Sequence, residues 1–329
     1  MRIIVDAMGG DNAPNEIVLG AVAAAKRFGV DILLVGREDA IRPLVPEDAK
    51  GITILNAEQV VTMEDDPMSV LRAKKDSSMA YAFKALRDGE GDAVISAGNS
   101  GAILAAGTMI VKRIKGIRRA AFAPIMPTMT GETLLIDSGA NAECTPEYLL
   151  QFATMGTHYI KAVRGVENPK VGLLNNGVEE HKGTPMHQEA HKLLSEADIN
   201  FVGNVEGRDV PEGKVDVVVA DGFSGNVLLK TFEGVGNFFL KELKAIFGKN
   251  IFTKLATLVL MSGIKALKKK TDHNEVGGAP LLGISKPVFK AHGSAKARTI
   301  ENAIGQAIAY VEQGVIDKII DSISEASEE

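Results

Sequence analysis

Tryptophan is absent from the 329 residues, aromatic side chains of all kinds make up 5%, and cysteine occurs once, as Cys144. A lone thiol excludes an internal disulfide and any metal site built on several cysteines, so a reducing cytoplasm is the expected setting. The chain carries no CxxC pair, no HExxH pair and no Walker A lysine motif. No apolar run reaches about 18 residues, so no spanning helix is expected. The opening Met1-Arg-Ile-Ile-Val-Asp6 runs straight into a β pattern without the regions of a secretion signal. Positive charge is not in excess: Lys and Arg number 37 against 42 Asp and Glu, a formal net charge of -5. With no basic tail, that balance argues against a general nucleic-acid binder. What is present, 45% hydrophobic and 24% charged residues, is ordinary for a globular protein of one large or two modest domains.

One stretch organises the rest: Val217-Val-Val-Ala-Asp-Gly-Phe-Ser-Gly-Asn226. Residues 215–220 read as a buried parallel strand, and the apolar run from Val227 reads as the following helix. Such a turn sets Asp221, Ser224, Gly225 and Asn226 at the carboxyl end of a sheet, where open α/β proteins bind ligands and where a helix start favours an anion. The same grammar recurs in Val5-Asp-Ala-Met-Gly-Gly-Asp11, Val94-Ile-Ser-Ala-Gly-Asn-Ser-Gly101, Leu134-Leu-Ile-Asp-Ser-Gly-Ala-Asn141 and Val171-Gly-Leu-Leu-Asn-Asn-Gly177. Gly, Asn, Asp and Ser are good turn formers in any protein. Their repetition after five apolar runs nevertheless predicts one shared crevice.

Between these tips, short apolar runs alternate with amphipathic helices, which predicts a single α/β catalytic unit over 1–329, either undivided or of two subdomains sharing a central cleft, built on a doubly wound, mostly parallel sheet with helices on both faces. Asp11 or Asn12 is expected to cap a helix over 16–28, with Pro14 at its first position. A long helix over 69–87 would carry Arg72, Lys74 and Lys75 in its opening turns, against the dipole. Lys112, Arg113, Lys115, Arg118 and Arg119 form a basic patch that suits an acidic partner or merely a solvated face. Residues 120–137 hold two strands interrupted by Pro124 and Pro127, Thr145-Pro146 begins a helix, and 277–283 reads as a loop. A helical insertion spans 227–270. Within it, 251–270 has an apolar face with Leu255, Leu258 and Val259 and a basic end with Lys268, Lys269 and Lys270. That combination predicts a helix on an anionic membrane surface, with a core or dimer helix as the competing reading.

The polar tips supply amides, hydroxyls and carboxamides, joined by Lys182, His181 and His292, an inventory suited to a phosphate and a polarised carbonyl. Ser100 and Ser224 lack the GxSxG elbow. Cys144 fits a small buried hydrophobe better than a nucleophile. Asp6, Asp11, Asp137 and Asp221 would hold a hard cation only if three met in space, and no metal is assigned. No GxGxxG follows the first strand, so a nicotinamide site is disfavoured and no cofactor is expected.

Val5-Asp-Ala-Met-Gly-Gly-Asp-Asn-Ala-Pro14, Ser96-Ala-Gly-Asn-Ser-Gly-Ala102, Ile136-Asp-Ser-Gly-Ala-Asn141, Asp221-Gly-Phe-Ser-Gly-Asn226 and Lys290-Ala-His-Gly-Ser294 together resemble the motifs of the PlsX family of bacterial phosphate acyltransferases. The resemblance spans essentially the whole chain. It implies a fold like that of phosphotransacetylase and the isocitrate and isopropylmalate dehydrogenases. It also implies a homodimer that turns acyl-(acyl carrier protein) and inorganic phosphate into acyl phosphate for phosphatidic acid synthesis. Such an enzyme is cytoplasmic, associates peripherally with the membrane, and passes its product to a membrane glycerol-3-phosphate acyltransferase. Lys182, Ser224, Gly225 and Asn226 are then expected to hold phosphate, and Asn99, Ser100, Asn141 and Asn176 to line the carbonyl side. Asp221 or His292 would orient the nucleophile, with Asp6, Gly9, Gly10, Asp11, Asp137 and His181 completing the substrate-binding set. A decarboxylating dehydrogenase of related fold and a non-catalytic acyl or carrier-protein binder are the alternatives.

Overall fold

The computed structural model describes residues 1–250, 253, 257, 260–264 and 277–325. The expected membrane-surface residues Leu255, Leu258, Val259, Lys268, Lys269 and Lys270 lie outside the described residues. The first part alternates as its apolar runs predict: β1 (Arg2–Asp6), α1 (Asn15–Phe28), β2 (Asp31–Gly36), α2 (Glu38–Ile41), β3 (Ile52–Asn56), α3 (Ser78–Asp88), β4 (Ala93–Ser96) and α4 (Ser100–Ala106). There follow β5 (Ala121–Phe122), β6 (Ile125–Pro127), β7 (Glu132–Ile136), α5 (Pro146–Arg164), β8 (Val171–Asn175), α6 (Pro185–Glu196), β9 (Phe201–Glu206), β10 (Val217–Val219) and α7 (Gly222–Gly248). The last part brings β11 (Gly278–Leu282), β12 (Val288–Ala291), α8 (Ala297–Glu312) and α9 (Val315–Glu325).

The α/β class and the parallel winding hold, but the strands divide into two sheets rather than one. A seven-stranded sheet has the order β3-β2-β1-β4-β12-β11-β5, and a five-stranded sheet the order β6-β7-β10-β8-β9. β2, β3, β1, β4 and β12 run parallel, while β11 and β5 are antiparallel to their neighbours. In the second sheet only β6 is antiparallel. The chain passes between sheets at Ala123 and Pro124, so the prolines of this region mark a change of sheet, and Pro127 sits on the edge strand β6 where no ladder bond is lost. Central strands carry near-continuous apolar runs because both faces are covered by helices; Ile3, Ile4, Val5, Val217, Val218 and Val219 are fully buried.

Three expectations are corrected. The helix expected over 69–87 is broken into a short 3-10 turn, Pro67–Leu71, and α3. The Ser77 hydroxyl accepts from the Ala80 N–H and starts α3 late, as serine does when it competes for backbone donors. Arg72, Lys74 and Lys75 therefore precede the helix, and Lys74 pairs with Asp65. The loop expected at 277–283 is strand β11, held between β12 and β5 despite Pro280. Finally, Pro14 itself takes the cap position of α1, while the Asn12 amide donates to the Ser294 and Ala295 carbonyls at 3.1 Å each. No described helix is long and apolar enough to cross a membrane.

Candidate active site

The tips of β1, β4 and β12 are stitched together. Asp6 is buried and accepts from the Ser96 hydroxyl at 2.7 Å and from the Met8 N–H at 3.3 Å. Burial raises its pKa above the ordinary 3.8, against the pull of these bonds. A Cβ on Gly9 would stand 2.7 Å from the Asp6 carboxylate and 2.8 Å from the Gly98 nitrogen, so glycine allows this approach. Gly10, at φ +104, lies against Ala97 and the Gly293 carbonyl, which also accepts from the Asp11 N–H at 2.8 Å. Asn99 caps α4 by accepting from the Ala102 N–H at 3.1 Å, and its amide donates to the Met63 and Asp65 carbonyls.

The tips of β7, β10 and β8 form a second group. Asp137, fully buried, accepts from the Phe122 N–H at 3.0 Å, the Asn141 N–H at 2.7 Å, the Asn141 amide at 3.0 Å and the Ala140 N–H. Burial raises its pKa while these donors oppose the rise. The Asn141 amide also reaches the Ala120 carbonyl at 2.8 Å, so this side chain is engaged in holding the turn. The helix start lies earlier than the apolar pattern predicts. Asp221 is the cap of α7 and accepts from the Ser224 N–H at 2.9 Å, so Ser224, Gly225 and Asn226 belong to the first helical turns. A Cβ on Gly225 would fall 1.9 Å from the Asp137 carbonyl oxygen. Only glycine lets α7 dock here.

From β8, Asn175 accepts from the Asn176 N–H at 2.8 Å and donates to the Lys182 carbonyl at 3.2 Å. Asn176 and His181 are exposed and Lys182 half-buried. His187, which the sequence did not single out, bonds Thr184 through Nδ1 at 2.8 Å and turns Nε2 to within 4.0 Å of Asp221. Burial lowers its pKa, and Asp221 acts in the opposite sense.

A cavity of about 700 Å³ opens between the two sheets and α7. Its polar end is lined by Ser100, Ser138, Gly139, Asn226, Lys230, Lys290 and His292, and its wall by Phe122, Ile125, Met126, Leu229, Phe232, Phe239, Leu240 and Leu243. Tips from both sheets share a chamber, but of the five turns only those after β4, β7 and β10 reach its lining, the turns after β1 and β8 do not, and of the expected residues only Ser100, Asn226 and His292 line it. Asn99, Asn141, Asn176, Lys182, Asp221 and Ser224 stand outside the lining. His292 bonds the Ser294 hydroxyl at 2.8 Å.

Lys290 is the main residue that sequence reasoning left without a role. Burial lowers its pKa from 10.5, Lys230 adds to the effect and Glu233 opposes it. Lys230 is paired with Glu233 at 2.8 Å; Lys290 has no carboxylate within ion-pair distance among the described residues and lies 6.0 Å from the Phe122 ring centre. The available signal was a lysine inside the apolar run Val288-Phe-Lys-Ala291, since a charge on a buried strand needs a reason.

Cys144 is half-buried, and its thiol donates to the Asn141 carbonyl at 3.6 Å. Burial pushes its pKa up to about 12, with Asp137 and Asp221 adding to the rise. It stays a thiol at neutral pH and makes a poor nucleophile. Asp6, Asp11, Asp137 and Asp221 do not converge: no cluster of three or more potential metal-binding His, Cys, Asp or Glu side chains occurs among the described residues. The arrangement can fix an anion near Lys290 and hold an apolar group along the wall.

Residues 1–318 match the model of the family described as fatty acid synthesis protein. A phosphate acyltransferase from Acetivibrio thermocellus is 50% identical over 97% of this chain and 95% of its own length. Another from Thermoanaerobacterium thermosaccharolyticum is 47% identical over 97% of this chain and 96% of its own. Among solved structures, a phosphotransacetylase from Streptococcus pyogenes has a TM-score of 0.62 at 18% identity, covering 94% of each chain. A 4-hydroxythreonine-4-phosphate dehydrogenase from Klebsiella pneumoniae gives 0.55 at 13% identity, covering 94% of this chain and 99% of its own. At that identity the likeness concerns the fold alone.

Proposed function

The chain belongs to the fatty acid synthesis protein family, and from that membership we infer that it is a phosphate acyltransferase. The acyl donor is an acyl-(acyl carrier protein) thioester and the acceptor is inorganic phosphate. A phosphate oxygen attacks the thioester carbonyl, a C–O bond forms, the C–S bond breaks, and the thiolate leaves with its electron pair and takes a proton from solvent. Because such a thiol has a pKa of about 8.5, its departure needs little acid help. The enzyme need only desolvate the dianion and aim it at the carbonyl.

The observation that carries this reading is a chamber with Lys290, which has no carboxylate within ion-pair distance among the described residues, at its polar end and an apolar wall beside it. Phosphate sits between Lys290 and Asn226, with His292 and Ser100 on the carbonyl side. Lys182, Ser224, Gly225, Asp221 and His187 assist from the neighbouring turn, and Asn99, Asn141, Asn176, Asp6, Asp137, Gly9 and Gly10 hold the tips in shape. The exposed patch of Lys112, Arg113, Lys115, Arg118 and Arg119 receives the acidic carrier protein. Acyl phosphate is consumed by a membrane glycerol-3-phosphate acyltransferase, so the reading includes a homodimer held peripherally on an anionic membrane; exposed Phe238, Phe239 and Ile246 on α7 support it. The dehydrogenase alternative is not favoured, since the close relatives carry the phosphate acyltransferase name.

The test is release of free carrier thiol from an acyl carrier substrate, with hydroxylamine trapping the acyl phosphate. Release that depends on phosphate supports the reading. Absence of release, or a change in nicotinamide absorbance instead, removes it.

A further inference from the structure

Two cavities meet on one face of α7. Leu229, Phe232, Gly236, Leu240 and Leu243 recur at spacings of three and four, so they share a face of the helix. That face belongs to the wall of the chamber described above. A second cavity of about 550 Å³ lies farther along, lined by Phe247, Thr257, Met261 and Ile264 among others. Asn237, Leu240 and Leu243 border both spaces. The two leucines are half-buried, and they form part of the wall of each cavity.

We propose that the acyl chain of the substrate lies along this face of α7, with its carbonyl at the Lys290 and His292 end, and that Leu240 and Leu243 form a gate that sets the chain length accepted. The proposal rests on the acyl-transfer reading and names the ligand of its apolar wall. Apolar side chains left open beside a polar reaction end are matched by a ligand with a charged or reactive head and a hydrocarbon tail. Each methylene moved from water onto such a wall strengthens binding about fourfold. A tail that stops before the leucines leaves the joint closed. A longer tail turns them aside and enters the second cavity, so preference falls gradually beyond the joint, because apolar contacts discriminate single methylenes weakly.

The chain contains no tryptophan, so Leu243→Trp places a sole indole at the joint. The probes are octanoate and palmitate, each brominated at its terminal carbon, since bromine quenches an indole that it touches. We expect brominated palmitate to quench the emission and brominated octanoate to leave it unchanged. Equal quenching by both, quenching by neither, or an emission that shifts with protein concentration before any lipid is added would overturn the proposal; the last result assigns this face to a second copy of the chain. The second measurement is the ratio of kcat/KM for palmitoyl over octanoyl carrier substrates. Leu240→Phe lowers that ratio about tenfold and Leu243→Ala raises it. A ratio unmoved in both variants removes the gate. If quenching follows tail length while wild-type protein releases no carrier thiol, the acyl-transfer reading fails and the tail site stands.

Discussion

In the proposed reaction Lys290 links chemistry and stability in a single side chain. Its folded pKa is lowered by burial, so the fold favours the neutral amine. The charged form therefore destabilises the protein at every pH below the lowered value, and that penalty disappears as pH rises toward 10.5. Lys290→Met is expected to lower kcat/KM for phosphate about 100-fold, through loss of a charge-assisted contact, and to raise the melting temperature by about 2 °C. Steady-state kinetics and calorimetry on the same variant check both signs. In the wild type, kcat/KM for phosphate should decline on the alkaline side below pH 10.5; in Lys290→Arg the decline should vanish from the accessible range, because a guanidinium keeps its proton. Cys144 sits at the other extreme. With its pKa near 12, Cys144→Ala should retain turnover within about twofold, and mass spectrometry during turnover should find no acyl group on the wild-type thiol.

Helix α7 shows that the same residue type has opposite meanings along one element. Gly225 packs where a Cβ would meet the Asp137 carbonyl at 1.9 Å, whereas a Cβ on Gly234 would meet nothing within 4 Å. Gly225→Ala should therefore separate the helix from the β7 turn and destabilise the fold by about 3 kcal/mol or more. Gly234→Ala should stabilise it by about 0.5–1 kcal/mol, the usual gain in a helix interior. Urea denaturation measures both. This contrast also explains why the start of α7 was not legible. Gly222 and Gly225 read as a turn because glycine is a poor helix former, while here it admits close packing within the helix. Serine misled in the other direction at α3: the apolar spacing runs smoothly through 69–87, and only Ser77 marks where the helix begins. Val217-Val-Val219 and Val5 were legible because a strand buried on both faces needs an unbroken apolar run whatever its partners are.

For the whole molecule, those partners were what the sequence concealed. Parallel strands of either sheet look alike locally, so nothing in Val5, Val94, Leu134 or Val171 declares which sheet each joins, and the sharing of one chamber by two sheets emerges only in three dimensions. The same limit applied to Lys290, Ser138 and Lys230, which come from distant segments. Surface charge was easier to read. Along 112–119 the basic side chains are exposed while Ile114 and Ile117 are buried, and the Arg119 guanidinium lies 5.4 Å from the Tyr148 ring centre. Replacing Arg118 and Arg119 by glutamate should raise KM for the carrier substrate about tenfold at low salt and leave kcat nearly unchanged. The difference should shrink as ionic strength rises, as screening requires. One feature of the sheet order bears on how the molecule is made. β11 and β12 come from residues 278–291, yet they lie between β4 and β5. A ribosome that has delivered everything before them has produced five of the seven strands, with β5 cut off from β4, an open flank on β4, and a chamber lacking Lys290 and His292. Such an unfinished chain is prone to pair edge to edge with its like, so the hazardous moment in the life of this protein comes late in its synthesis.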